Sequence, residues 1–272
     1  MWLQEKGDGP TIVQIHGAGF AHATFDAVTP LLEEQLHVVD IDMLGCGRSS
    51  DGSTRRYSAE IWAAEIAELI EKCGWAPAVV HGASMGGIVA FELARTHPTV
   101  VQALVLSGTV ARQDAAGSLT FAAWAGVARA CGMGSYELAG LVTRDAFSRT
   151  FISEAGGLQE LVEMVRSTLR DDYPLKTFVD ACDVLQAVRA DRFLGEISVP
   201  TLVLVGRTDT ITPLQPAPPG VGAGQISEML PRGRLQVLED CGHANLTEKP
   251  TESAEAILGF VLTDARASQE RR

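Results

Sequence analysis

Three residues far apart in this 272-residue chain could form a single chemical unit. Ser84 lies in Gly82-Ala83-Ser84-Met85-Gly86, Asp209 in Gly206-Arg207-Thr208-Asp209, and His243 in Cys241-Gly242-His243-Ala244. A serine hydroxyl attacks a carbonyl poorly until a base takes its proton. Imidazole is suited to that work, and a carboxylate beside it fixes its tautomer and stabilises its cation. Each residue also has a plainer reading: a glycine-rich turn, a surface-loop histidine, a turn aspartate. The weight lies in their joint placement, each just beyond a strand-like run and in the chain order Ser, Asp, His. We therefore expect Ser84 as nucleophile, His243 as general base and Asp209 as the acid that orients it. Asp114, the first acid after Ser107-Gly108-Thr109-Val110, is a weaker candidate for the third role.

An oxyanion formed at the attacked carbonyl needs preorganised donors. Met85 N–H is one candidate. The second is sought in His16-Gly17-Ala18-Gly19-Phe20, where Ala18 is favoured and Gly19 is next. The remaining histidines fit a catalytic role less well. His16 ends a strand and is expected to support that loop, His81 lies on the strand side of Ser84, His37 starts a strand, and His97 precedes Pro98. His22 is the other histidine that could reach a site.

The elements that would position these groups are legible as apolar periodicity. Thr11–Ile15, His37–Asp42, Ala78–His81, Val101–Ser107, Pro200–Val205 and Leu235–Leu238 read as buried strands. Thr24–Glu34, Ser58–Cys73, Ile88–Thr96 and Thr251–Leu262 read as helices. In Ser58–Cys73, Ser58 is placed as cap and Ile61, Ile66, Leu69 and Ile70 as the buried stripe. Strand–helix alternation argues an α/β fold with a mostly parallel sheet covered by helices on both faces. From Thr109 to Phe193 the pattern changes to helical stretches at 119–130, 135–141, 158–169 and 175–188, with no strand-length β-branched run. We expect a core of residues 1–108 and 194–272 and a helical cap of residues 109–193. Phe20, His22, Phe121, Trp124, Met133, Phe147, Phe151 and Met164 are candidates to line a substrate pocket, although plain packing explains each one singly. The tail from Asp264 to Arg272 is expected to fray.

Composition narrows the partners. A formal charge of -12 and a pI near 4.9 disfavour nucleic acid and anionic membrane surfaces. No secretory signal and no run of about 18 apolar residues is visible, so a soluble cytoplasmic protein is expected. The five cysteines match no disulfide or zinc spacing, and no H-E-x-x-H, P-loop or G-x-G-x-x-G occurs. Neither a metal nor a cofactor is implied, and the expected partner is a small-molecule substrate.

With these motifs in this order, and with Asp42-Met43-Leu44-Gly45-Cys46-Gly47-Arg48-Ser49 between them, the chain resembles the α/β-hydrolase superfamily. It is most similar to the small bacterial group of esterases, enol-lactonases, carbon–carbon bond hydrolases and cofactor-free haloperoxidases. The resemblance implies a helical cap between the sixth and seventh strands of that fold. It also implies a serine hydrolase that cleaves an ester, lactone or activated C–C bond of a small hydrophobic molecule through an acyl-enzyme. The same fold also serves slow-turnover receptors and triad-based lyases or synthases. Two positions depart from the pattern. Many relatives carry histidine or glutamine where this chain has Ala83, which leaves room beside Ser84. Before the first buried strand, Trp2–Glu5 offers a single strand in place of the usual antiparallel hairpin.

Overall fold

The computed structural model describes residues 1–49, 55–154, 156–169 and 174–265. The expected fraying of the tail falls largely on residues 266–272, outside the described residues. Seven strands form one sheet in the order β1-β3-β2-β4-β5-β6-β7. They are β1 (Trp2–Lys6), β2 (Thr11–Ile15), β3 (His37–Asp42), β4 (Ala78–Ala83), β5 (Val101–Ser107), β6 (Thr201–Gly206) and β7 (Gly233–Leu238). β1 runs antiparallel to β3 as the single opening strand, and every other pairing is parallel.

Both faces of the sheet are covered, which is why the central strands read as unbroken apolar runs. Val38, Val79, Val105 and Leu204 face one layer with Phe25, Val28 and Leu32. α11 (Pro250–Phe260) completes that layer through Ile257 and Phe260. Val39, Val80, Leu104 and Val203 face the other layer. There α2 (Ala59–Lys72) and α3 (Met85–Thr96) pack side by side.

Two local expectations need correction. Residues 24–34 are not one helix. A 3-10 turn at Ala21–Phe25 precedes the four-residue α1 (Thr29–Leu32). Pro30 sits in the first turn of α1, where its missing N–H costs nothing. In α2, Ser58 does cap the helix, its hydroxyl accepting from Ile61 N–H at 3.4 Å. The buried stripe, however, is Trp62, Ala63, Ile66, Ala67 and Ile70, with Ile61 and Leu69 only half-buried. The Trp62 ring stacks on Tyr57 at 5.5 Å, and its indole N–H donates to Leu44 O at 3.0 Å.

The insertion between β5 and β6 is helical. It contains α4 (Ala115–Cys131), α5 (Tyr136–Ala146), α6 (Arg149–Glu154), α7 (Leu158–Leu169) and α8 (Leu175–Ala187). Among its described residues there is no sheet strand. α6 is absent from the helical stretches expected of the sequence, because it buries no residue and so leaves no apolar period. α4 packs on α8 and α5 on α7, around Phe121, Leu138, Val142, Val165 and Phe178. After β6 come α9 (Ala223–Met229) and, between β7 and α11, the short α10 (Asn245–Glu248). Among the described residues no helix is long and apolar enough to cross a membrane. None of the five cysteines forms a disulfide.

Candidate active site

The parallel register brings the ends of β2, β4, β5, β6 and β7 to one edge of the sheet. Ser84 follows β4 on a turn whose tightness is set by its glycines. A Cβ on Gly82 would lie 2.4 Å from Gly86 O, and one on Gly86 would lie 2.1 Å from Ile15 O. Strand and helix can meet this closely only without side chains there. Ser84 itself has φ 53°, a left-handed conformation costly for a non-glycine residue. It is held by its N–H donating to Ser107 O at 2.8 Å and by the Thr109 hydroxyl donating to Ser84 O at 2.8 Å.

His243 and Asp209 meet Ser84 at this edge. The Ser84 hydroxyl lies 3.1 Å from His243 Nε2, and His243 Nδ1 lies 2.9 Å from Asp209 Oδ2. With Nδ1–H donating to the carboxylate, Nε2 turns its lone pair to the Ser84 hydroxyl. Asp209 is fully buried as a side chain. Burial works to raise its carboxyl above the usual range. The facing His243, the Thr212 hydroxyl at 2.7 Å and the Thr212 N–H at 2.9 Å outweigh burial and hold it lower. Ile211 N–H also donates to it, at 2.8 Å. Asp114 is elsewhere: it caps α4 by accepting from Gly117 N–H and also accepts from Ala217 N–H.

The loop after β2 is fixed by His16. Burial lowers its basicity, so the ring is neutral, with one donor and one acceptor nitrogen. It accepts from Met43 N–H at 3.1 Å and donates through Nδ1 to Gly17 O at 2.7 Å. Holding that carbonyl directs the Ala18 N–H to the opposite side of the planar peptide. Gly17 packs against Ser84, where a Cβ would come within 3.2 Å of Ser84 Cβ. Gly19 (φ 86°) is pressed instead against Leu169 and Phe178 of the cap.

A cavity of about 250 Å³ opens over Ser84. Of the residues expected to line it, Phe20, Trp124, Phe147 and Met164 do so. His22, Phe121, Met133 and Phe151 do not. The His22 ring is held by Asp42 at 2.8 Å and lies against Trp2. Phe121 and Met133 are buried in the packing of the cap helices, and Phe151 stacks behind Phe147. Sequence reading misses Ala23, Thr24 and Asp26, because that segment reads as the start of a helix. It also misses Ala244 to Thr247, which follow the histidine. A second, larger hollow of about 480 Å³ lies between α2, α3 and α8 and contains none of Ser84, Asp209 and His243. Among the described residues no His/Cys/Asp/Glu group is arranged to hold a metal ion. Cys241, close to His243 in sequence, is pushed by burial to about 12 and keeps its proton.

Glu248 ties the cap to the histidine loop. Its Oε1 accepts from Gly242 N–H at 3.0 Å and from Ser148 N–H at 3.1 Å, while Ala244 N–H donates to Ala146 O at 2.9 Å. Burial raises its carboxyl above the usual range, against those hydrogen bonds, and Oε2 is buried without a partner among the described residues. The folded chain therefore holds this proton more tightly than the unfolded chain. The stabilisation is present below the unfolded carboxylate range and is lost as pH rises through the folded value. Glu248→Gln keeps the acceptor oxygen and removes that loss. We expect its Tm to exceed that of the wild type near pH 8 and to match it near pH 4. A difference in Tm that does not change with pH would contradict a raised carboxyl at Glu248.

A family profile described as alpha/beta hydrolase fold matches residues 10–250. A 2-hydroxymuconate semialdehyde hydrolase of Pseudomonas sp. (strain CF600) is 26% identical, with 98% of this chain and 91% of that protein covered. A pimeloyl-[acyl-carrier protein] methyl ester esterase of Aeromonas hydrophila is 27% identical over 95% and 98% of the two chains. Among solved structures, a thermophilic esterase from Thermogutta terrifontis superposes with a TM-score of 0.83 at 24% identity, covering 97% and 93% of the two chains. The enol-lactonase from Burkholderia xenovorans LB400 gives 0.83 at 21% identity, covering 96% of each. At those identities the two structures speak for the fold.

Proposed function

The chain belongs to the alpha/beta hydrolase fold family, and on that premise we propose that it is a cofactor-free serine hydrolase with Ser84, His243 and Asp209 as its catalytic triad. The observation that carries this reading is the continuous contact from Ser84 Oγ to His243 Nε2 and from Nδ1 to buried Asp209, on the floor of a mostly apolar cavity. In this reading His243 takes the Ser84 proton as Oγ adds to the substrate carbonyl, and Asp209 stabilises the imidazolium. Met85 N–H and Ala18 N–H receive the oxyanion, with Gly19 N–H as the alternative donor. His243 then passes its proton to the leaving group, and the acyl-enzyme is hydrolysed by the same steps with water as nucleophile. Residues 109–193 act as the cap that walls the cavity, over a core of residues 1–108 and 194–272.

The bond class is an ester, lactone or activated C–C bond. The names of the hydrolase and esterase relatives support that range. The cavity narrows the substrate further. Among the described residues, Asp26 and His243 are the ionisable ones that line it, and no lysine or arginine does. A substrate carboxylate would lose water there without gaining a cation. A neutral, largely apolar substrate fits. The test is steady hydrolysis of p-nitrophenyl esters. With p-nitrophenyl 4-methylpentanoate and its near-isostere p-nitrophenyl hemisuccinate, we expect kcat/KM at least about tenfold lower for the anion. Equal rates for the pair would remove the argument from charge, and an absence of steady ester turnover would remove the hydrolase reading.

A further inference from the structure

Beneath Ser84 runs a buried polar chain that the triad does not use. Asp40 accepts from Gln14 Nε2 at 2.6 Å, from Gln4 Nε2 at 2.9 Å and from the Thr29 hydroxyl. Gln14 Nε2 also donates to Thr29 Oγ1 at 2.8 Å. With its amide nitrogen committed, Gln14 presents Oε1 to His81 Nδ1 at 2.8 Å, so Nδ1 carries the hydrogen. His81 is fully buried, packs edge-on to Phe25, and is driven by burial down to about 3, so the ring is neutral. Its Nε2 is then an acceptor. It lies 2.8 Å from Ser107 Oγ, and the Ser107 hydroxyl hydrogen is spent on it.

Ser107 therefore has a fixed polarity: its remaining lone pair can only accept. It is 3% exposed, pairs in register with Ala83 across β4 and β5, and lines the same cavity as Ser84. A large side chain at position 83, on the same face of the sheet, would crowd it; Ala83 leaves it open. An independent feature lies in the same lining. Asn245 is 1% exposed, and its Nδ2 is buried with no hydrogen-bond partner among the described residues. The residues that line the cavity thus include a fixed acceptor, Ser107 Oγ, and a buried amide nitrogen without a partner among the described residues, Asn245 Nδ2. A hydroxyl group satisfies both, because it donates and accepts at once; an ether or a carbonyl could serve Asn245 alone.

We propose that Ser107 and Asn245 form a specificity site for a neutral substrate that carries a hydroxyl group in the part lying beyond Ala83. The inference rests on the hydrolase reading above. The experiment uses two pairs that differ by hydroxyl for methyl: p-nitrophenyl 3-hydroxybutanoate against 3-methylbutanoate on the acyl side, and 2-hydroxypropyl against 2-methylpropyl butanoate on the alcohol side. The wild type is expected to favour the hydroxyl member of at least one pair by about tenfold in kcat/KM. Ser107→Ala should erase that preference. Ala83→Val, which fills the space before Ser107 and leaves His81 and Ser107 in place, should erase it too and serves if Ser107→Ala does not fold. Because each readout is a ratio within one protein, the folded fraction cancels. Hydrolysis of p-nitrophenyl acetate, which carries no hydroxyl group on either side of the ester, reports on Ser84 separately. Turnover of the acetate with no hydroxyl preference in either pair, or a preference that survives both substitutions, overturns the specificity site. Absence of acetate turnover overturns the hydrolase reading on which it rests.

Discussion

Asp209→Asn is expected to lower kcat/KM by about four orders of magnitude and to leave the fold in place. The carboxylate has two jobs that an amide cannot do together. Its Oδ1 accepts the N–H groups of Ile211 and Thr212, and its Oδ2 faces His243 Nδ1. Asparagine can keep its oxygen on the two backbone donors, so the loop survives. Its nitrogen then points at Nδ1 and donates, which forces the imidazole proton onto Nε2. Nε2 can no longer receive the Ser84 proton, and the imidazolium has lost its counter-charge. Asp114→Asn should remain near wild type in rate, since Asp114 caps α4 and an amide oxygen still caps. Measuring kcat/KM for p-nitrophenyl butanoate on both variants separates them. If the Asp209 variant stays within about tenfold of wild type, the orienting acid lies elsewhere.

Ser84→Ala is expected to cost about six orders of magnitude in kcat, leaving only what the oxyanion donors and the cavity supply. The elbow should survive. Its shape depends on Gly82 and Gly86, and on the N–H and carbonyl of residue 84 bonding to Ser107 and Thr109; the Ser84 hydroxyl caps no helix. The variant should therefore melt close to the wild type. Gly86→Ala makes the contrast: a Cβ 2.1 Å from Ile15 O forces β2 and α3 apart, so stability and activity fall together. A Ser84→Ala protein that is folded and still turns over the ester at more than about a hundredth of the wild-type rate would place the nucleophile elsewhere.

The sheet and its edge are legible in the sequence because parallel strands buried on both faces leave dense apolar runs, and because the turn at Ser84 demands small residues at fixed offsets. The cap is legible as a region without strands, but its surfaces are not. Phe121, Trp124 and Met133 all sit at apolar positions of the cap, yet Trp124 alone of the three faces the cavity. Periodicity marks a buried face without saying what covers it. The segment from Ala21 to Leu32 misleads because a proline inside an apolar run fits a continuous helix poorly and a new first turn well, and the apolar spacing favours the continuous helix. Residues such as Glu248 and Ser107 carry no signal at all. Their importance comes from partners at Ser148 and His81, which are distant in the chain and adjacent only once the sheet has formed.

The most direct measurement is covalent. A fluorophosphonate mimics the acyl donor and reacts only with a serine whose hydroxyl is activated by a neighbouring base. Intact-mass analysis after reaction, followed by peptide mapping, should find a single adduct per chain on the peptide containing Ser84. The adduct should be absent from Ser84→Ala and form far more slowly in Asp209→Asn. An adduct mapped to another serine, or a folded wild-type chain that acquires none, would contradict the assignment of Ser84, His243 and Asp209 as the working triad.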